Sequence, residues 1–154
     1  MGSLEGSGGN NMKRGFTLIE SLLSVALLAL IAFIAAPVYQ SFQVRNNLTV
    51  TQSHIVDTLR RAQQLSLASE GDIESGIRIE TNSIILFRGI NYATRDILFD
   101  EVSEIPSSII PSGINEITFT KLKGLPSLTG VITLNSSMNE TKTITINEKG
   151  VFTF

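Results

Sequence analysis

The stretch FTLIESLLSVALLALIAFIAAPV, residues 16 to 38, most constrains what this chain can fold into, because after Glu20 no charged side chain appears until Arg45. A helix that is apolar on every side cannot sit with one stripe on a small core. Hydrocarbon about 30 Å thick takes about 20 helical residues to cross. The run therefore predicts a transmembrane helix over residues 16–40. Lys13 and Arg14 stand directly before it, and basic residues flanking a span stay on the cytoplasmic side. The N-terminus is expected inside, with the bulk of the chain outside.

Glu20 is the anomaly in this run. A carboxylate at the middle of a membrane helix costs about 2.5 to 3.5 kcal/mol on insertion scales, and less near an interface. Two readings are open. Either the acid sits in the headgroup layer and benefits from the positive end of the helix dipole, or it meets a cationic partner.

Pro37 interrupts the run near its outer end, where it removes one backbone hydrogen bond and is expected to kink or loosen the helix. Beyond it the pattern turns amphipathic. Leu48, Ile55, Leu59, Ala62 and Leu65 recur at spacings of seven, four and three, while Arg45, Asn46, Gln52, Asp57, Arg60 and Arg61 occupy other faces. Ser69, Gly71 and Asp72 break the pattern, with Gly71 suited to a helix C-cap. One helix is expected from Phe16 to about Ser69.

After Gly71 the period switches to two. GIRIE (76–80), SIILFR (83–88), DILFDE (96–101), EITFTKL (116–122), GVITLN (130–135), KTITIN (142–147) and VFTF (151–154) read as antiparallel strands. The last two form the clearest hairpin, with Gly150 placed for a positive φ at the end of a three-residue loop. VSEIPSSIIPSGIN, with Pro106 and Pro111, reads as the longest loop. Ile109 and Ile110, held between those prolines, read as cover for a sheet edge or as a contact patch. The expected fold class is α+β, a long N-terminal α-helix packed on a small antiparallel β-sheet.

Composition narrows the function classes. A chain of 154 residues with 12 basic and 14 acidic side chains, a net charge of -2 and a pI of about 5.4 lacks the basic patch that nucleic acid requires. Arg45, Arg60 and Arg61 read as a solvated helix face. Cysteine is absent, which excludes disulfides and thiol chemistry. His54 is the sole histidine and cannot form a histidine catalytic pair. Asp96, Asp100, Glu101 and Glu104 are scattered and lack the Asx-Gly turn of a dedicated calcium loop. Asn47, Asn135 and Asn139 begin glycosylation-type triplets that read as loop composition. No catalytic residue, cofactor or metal is expected, and the chain does not read as an enzyme.

RGFTLIES (14–21), taken with the apolar run behind it, resembles the type III signal of type IV pilins and pseudopilins: a basic leader ending in Gly, then Phe, Thr, Leu, Ile and Glu. The resemblance implies that a prepilin peptidase/N-methyltransferase cuts after Gly15 and methylates the new amine of Phe16. It implies that Glu20 pairs with the Phe16 amine of a neighbouring subunit during assembly, and that Pro37 is the helix-loosening proline of such proteins. Implied partners are other pilins or pseudopilins in a filament, an inner-membrane assembly platform and membrane lipid. The protein would be single-pass in the bacterial inner membrane, then part of a filament.

On this view residues 1–15 are a leader, 16–40 the membrane helix, 41–70 its amphipathic continuation and 71–154 the sheet domain. Met12 is an alternative start of translation. The strand pattern resembles the H-type minor pseudopilins of type II secretion and the FimT-like minor pilins, with a competence-type pseudopilin as another member of the group. The competing reading is a periplasmic β-domain, simply anchored or else released by ordinary signal peptidase near Ala36.

Overall fold

A computed structural model of the chain describes residues 15–68 and 73–154. The fold is α+β: one helix, α1 (Leu18–Ala68), followed by eight short strands. The chain divides into two compact units at Val38 and Tyr39. The Gly71 cap position lies outside the described residues, as do Ser69 and Asp72.

In the first unit α1 carries the apolar run. Its side chains are exposed throughout the described residues, Phe33 by 83 %. A stretch of α1 is long and apolar enough to cross a membrane, and none of that stretch is buried by the rest of the protein. Pro37 lies inside α1, which continues beyond it to Ala68.

The second unit, Tyr39–Phe154, has a conventional core. Leu48, Ile55, Leu59 and Ala62 of α1 are buried and join one apolar cluster with both sheets, and Leu65 packs at its edge. The spacing of seven, four and three keeps these residues on one stripe. Gln52 is a correction: it is buried rather than on a polar face, and its Nε2 donates to the Thr143 carbonyl at 3.0 Å. A long amide can replace an apolar residue in the stripe when a strand carbonyl is there to receive it.

Two four-stranded antiparallel sheets replace the single sheet expected. The first contains β1 (Ser75–Ile79), β2 (Ser83–Arg88), β3 (Glu101–Glu104) and β5 (Glu116–Phe119), in the order β3-β2-β1-β5. The second contains β4 (Ile109–Gly113), β6 (Gly130–Ser136), β7 (Thr141–Ile146) and β8 (Phe152–Thr153), in the order β4-β6-β7-β8. Burial in β6 alternates, as in a sheet with one face on the core. Four consecutive residues of β2, Ile84 to Phe87, are buried, which means that both of its faces are covered.

The second cover comes from the β2–β3 connection, where DILFDE departs from its expected strand. Ile97–Phe99 forms a 3-10 turn whose N-cap, Asp96, accepts from the Leu98 N–H at 3.1 Å. The cap competes with strand pairing for the same backbone. An earlier turn, Tyr92–Thr94, sets Tyr92 edge-on to the buried Phe87 with ring centroids 5.7 Å apart. Arg95 lies 3.7 Å above the Tyr92 ring and binds Asp100 Oδ2 at 2.7 Å. That hydrogen bond raises the Arg95 pKa above its ordinary value.

The stretch read as one long loop contains β3 and β4 instead. Pro111 is tolerated because β4 is an edge strand. Ile109 is 1 % exposed and belongs to the core, whereas Ile110 is 57 % exposed, so the pair divides between the two faces of β4. Asn47 lies in α1 and Asn135 in β6, and only Asn139 occupies a turn, with φ 60°.

The β7–β8 hairpin forms as expected. Gly150 has φ 70°, and the Asn147 side chain accepts from the N–H groups of Lys149 and Val151. Gln63 of α1 reaches this turn, donating to the Gly150 carbonyl at 3.3 Å and to the Gly124 carbonyl at 2.9 Å. Near the end of α1 the buried Ser66 hydroxyl accepts from the Ser75 N–H at 2.9 Å, tying the helix to the first strand.

Candidate functional site

Gly15, Phe16 and Thr17 precede α1, are non-helical and are exposed. The helix begins at Leu18 because Thr17 caps it: its Oγ1 accepts from the Glu20 N–H at 3.3 Å and its carbonyl accepts from the Ser21 N–H at 3.1 Å. Thr17 and Glu20 stand at the spacing of a capping box. The peptide bond between Gly15 and Phe16 therefore lies outside the helix.

Glu20 occupies the first turn of α1, where the helix dipole favours an anion. Among the described residues its carboxylate has no ion-pair partner. Ser24 Oγ donates to the Glu20 carbonyl at 2.8 Å, and Ser21 Oγ to the Thr17 carbonyl at 3.4 Å. The hydroxyls at this end thus return to the helix backbone, while the acid is presented outward. Lys13 and Arg14 lie outside the described residues. Thr17 is absent from the residues singled out in the sequence; its spacing to Glu20 was the signal that marks it.

No group of three or more His, Asp or Glu side chains among the described residues is placed to hold a metal ion. His54 faces solvent and its Nδ1 is 3.3 Å from Thr58 Oγ1. Arg45 pairs with Glu140 of the β6–β7 turn at 2.7 Å and Arg61 with Glu101 of β3 at 2.6 Å, while both arginine side chains stay more than half exposed, on the solvated helix face expected. A cleft of about 600 Å³ runs between residues 78–83 and 111–115, with Arg78 held by Glu116 at 3.0 Å. These ion pairs join elements of the fold.

Residues 10–36 match the family model of the prokaryotic N-terminal methylation motif. The match contains the basic pair, the Gly15–Phe16 bond, Glu20 and most of the apolar run. It supports a type IV pilin-like or pseudopilin-like protein. No solved structure matches the chain.

Proposed function

We propose that this protein is a structural subunit, a minor pseudopilin or pilin of a type II secretion pseudopilus or type IV pilus, matured by prepilin peptidase after Gly15 and methylated at Phe16. The observation that carries the reading is the methylation motif over residues 10–36, joined to an apolar stretch of α1 that none of the other described residues buries. Before assembly that surface faces lipid, with the basic leader inside and the sheet domain outside; in the filament it packs on the helices of neighbouring subunits. Of the pilin-like types, the H-type minor pseudopilins and FimT-like minor pilins fit best, on the pattern of short strands and the Gly150-containing β7–β8 hairpin.

Roles follow for the residues of the motif. Gly15 offers no side chain to the peptidase, Phe16 supplies the new amine, and Glu20 provides the carboxylate that the amine of a neighbouring subunit meets. At the edge of hydrocarbon such a pair is more stable than either charge alone. Pro37 removes a helix hydrogen bond and lets α1 loosen when subunits pack.

Two variants test these roles in cells that carry the peptidase and a complete assembly system. Gly15→Ala is expected to stay uncut. Glu20→Ala is expected to be cut and then left out of sheared filaments, with incorporation reduced at least about tenfold, the factor that 1.4 kcal/mol of lost pairing gives. Filaments that take up Glu20→Ala as readily as the original chain remove the assembly role, while cleavage of Gly15→Ala at the original rate removes the processing site.

A further inference from the structure

The two sheets have four outer edges, and three of them are closed to another strand. β5 is covered by the segment that follows it: the Ser127 N–H donates to the Thr118 carbonyl at 2.8 Å, Ser127 Oγ accepts from the Thr118 N–H at 3.1 Å, and Pro126 bridges Phe119. β4 carries Pro111, which has no N–H to offer. β8 is two residues long.

β3 differs. The Ile105 N–H donates to the Asn82 carbonyl at 2.8 Å. Antiparallel alternation then turns the backbone of Ser103 and Glu101 toward β2 and directs that of Val102 and Glu104 away from it. Beside this edge Leu98 is 90 % and Val102 62 % exposed. Charge alone would protect an edge, but an exposed apolar strip next to it does not. The Asp96 cap and the Arg95–Asp100 pair hold the strip in place.

We propose that β3 accepts an added strand from a different polypeptide, an extended segment that sets an apolar residue opposite Val102 and a lysine or arginine opposite Glu104. Strand addition draws its affinity from main-chain hydrogen bonds and its selectivity from alternate side chains. Charge decides the occupant. In antiparallel pairing of two copies of β3, registers that oppose the outward residues set Glu104 against Glu104, Val102 or Asp100. None of these is a cation: the Glu104–Glu104 and Glu104–Asp100 registers oppose like charges directly, which is destabilising, and the Glu104–Val102 register sets each acid against an apolar residue. A basic partner strand removes that penalty. The inference goes beyond the filament reading and does not depend on cleavage of the leader.

The test uses the full chain in detergent micelles with two blocked peptides, TVTKTVTKT and TVTETVTET, and reads backbone amide exchange. Saturating lysine peptide is expected to slow exchange at Val102 and Glu104 at least about tenfold, as newly bonded amides do, with no effect from the glutamate peptide. Glu104→Lys should reverse that preference. Val102→Pro removes an N–H that β2 does not use and should abolish binding. Unchanged exchange, equal response to both peptides, or undiminished binding by Val102→Pro overturns the proposal. So does concentration-dependent protection of β3 without peptide, which would make a second copy the occupant. Where Val102→Pro also loosens β2, the Glu104→Lys reversal decides.

Discussion

Two stretches of the same helix show what an apolar residue means in different surroundings. From Leu18 to Ile34 every large apolar side chain of α1 is exposed, whereas Leu48, Ile55, Val56 and Leu59 are buried in the sheet domain's core. The two stretches are equally helical, and propensity does not distinguish them. Periodicity does: apolar residues all round leave no polar face, while a stripe at three, four and seven residues finishes a core. The first stretch is long and apolar enough to cross a membrane, and the second packs on its own sheets.

Substitutions can break this comparison, and the largest effect is expected in the core. Leu59→Ala should destabilise the domain by about 2 to 5 kcal/mol, the usual cost of a buried leucine truncated in place. Leu28→Ala should leave the domain's stability in urea unfolding within about 0.5 kcal/mol of the original. Equal shifts for the two variants would mean that the apolar run is part of the domain core, contrary to the division at Val38.

Gln63→Ala comes next. It leaves the Gly124 and Gly150 carbonyls without their amide donor, and an unmet buried polar group costs about 1 to 3 kcal/mol. Loss of amide protection in the β7–β8 hairpin before the rest of the domain would show that the effect is local to that turn. A variant as stable as the original would mean that water replaces the amide freely.

The smallest effect is expected for Arg45→Ala, which removes a pair with Glu140 whose partners both reach solvent. Such pairs contribute about 0 to 1 kcal/mol and fade with salt. A larger change, or one that persists in molar salt, would make this contact part of the core rather than its rim.

How much of this was legible in the sequence follows from the range of the forces involved. Periodicity revealed the α1 stripe and most strands, because burial of one face imposes it residue by residue. The terminal hairpin was legible through Gly150, whose positive φ few other residues adopt readily. Two things were hidden. The fate of DILFDE turned on Asp96 capping Leu98 and on Arg95 meeting Asp100, local polar bonds that outweigh a strand-like pattern. The burial of Gln52 depended on Thr143, 91 residues away, and the division into two sheets on pairings between strands distant in sequence, such as β1 with β5. At the candidate site, Gly15, Phe16 and Glu20 were legible because the methylation motif is a pattern of linear sequence. The cap made by Thr17 was signalled by its spacing to Glu20, and the helix start at Leu18 located it.

The central claim is that this chain is a pilin-like precursor whose apolar helix becomes the new N-terminus. The most direct measurement is the intact mass of the protein purified from membranes of cells that express a prepilin peptidase, compared with cells that lack it. The account predicts a chain beginning at Phe16 with one methyl group on its amine, and the uncut precursor where the peptidase is absent. A mature chain beginning at Pro37, or a precursor left uncut beside an active peptidase, would contradict it.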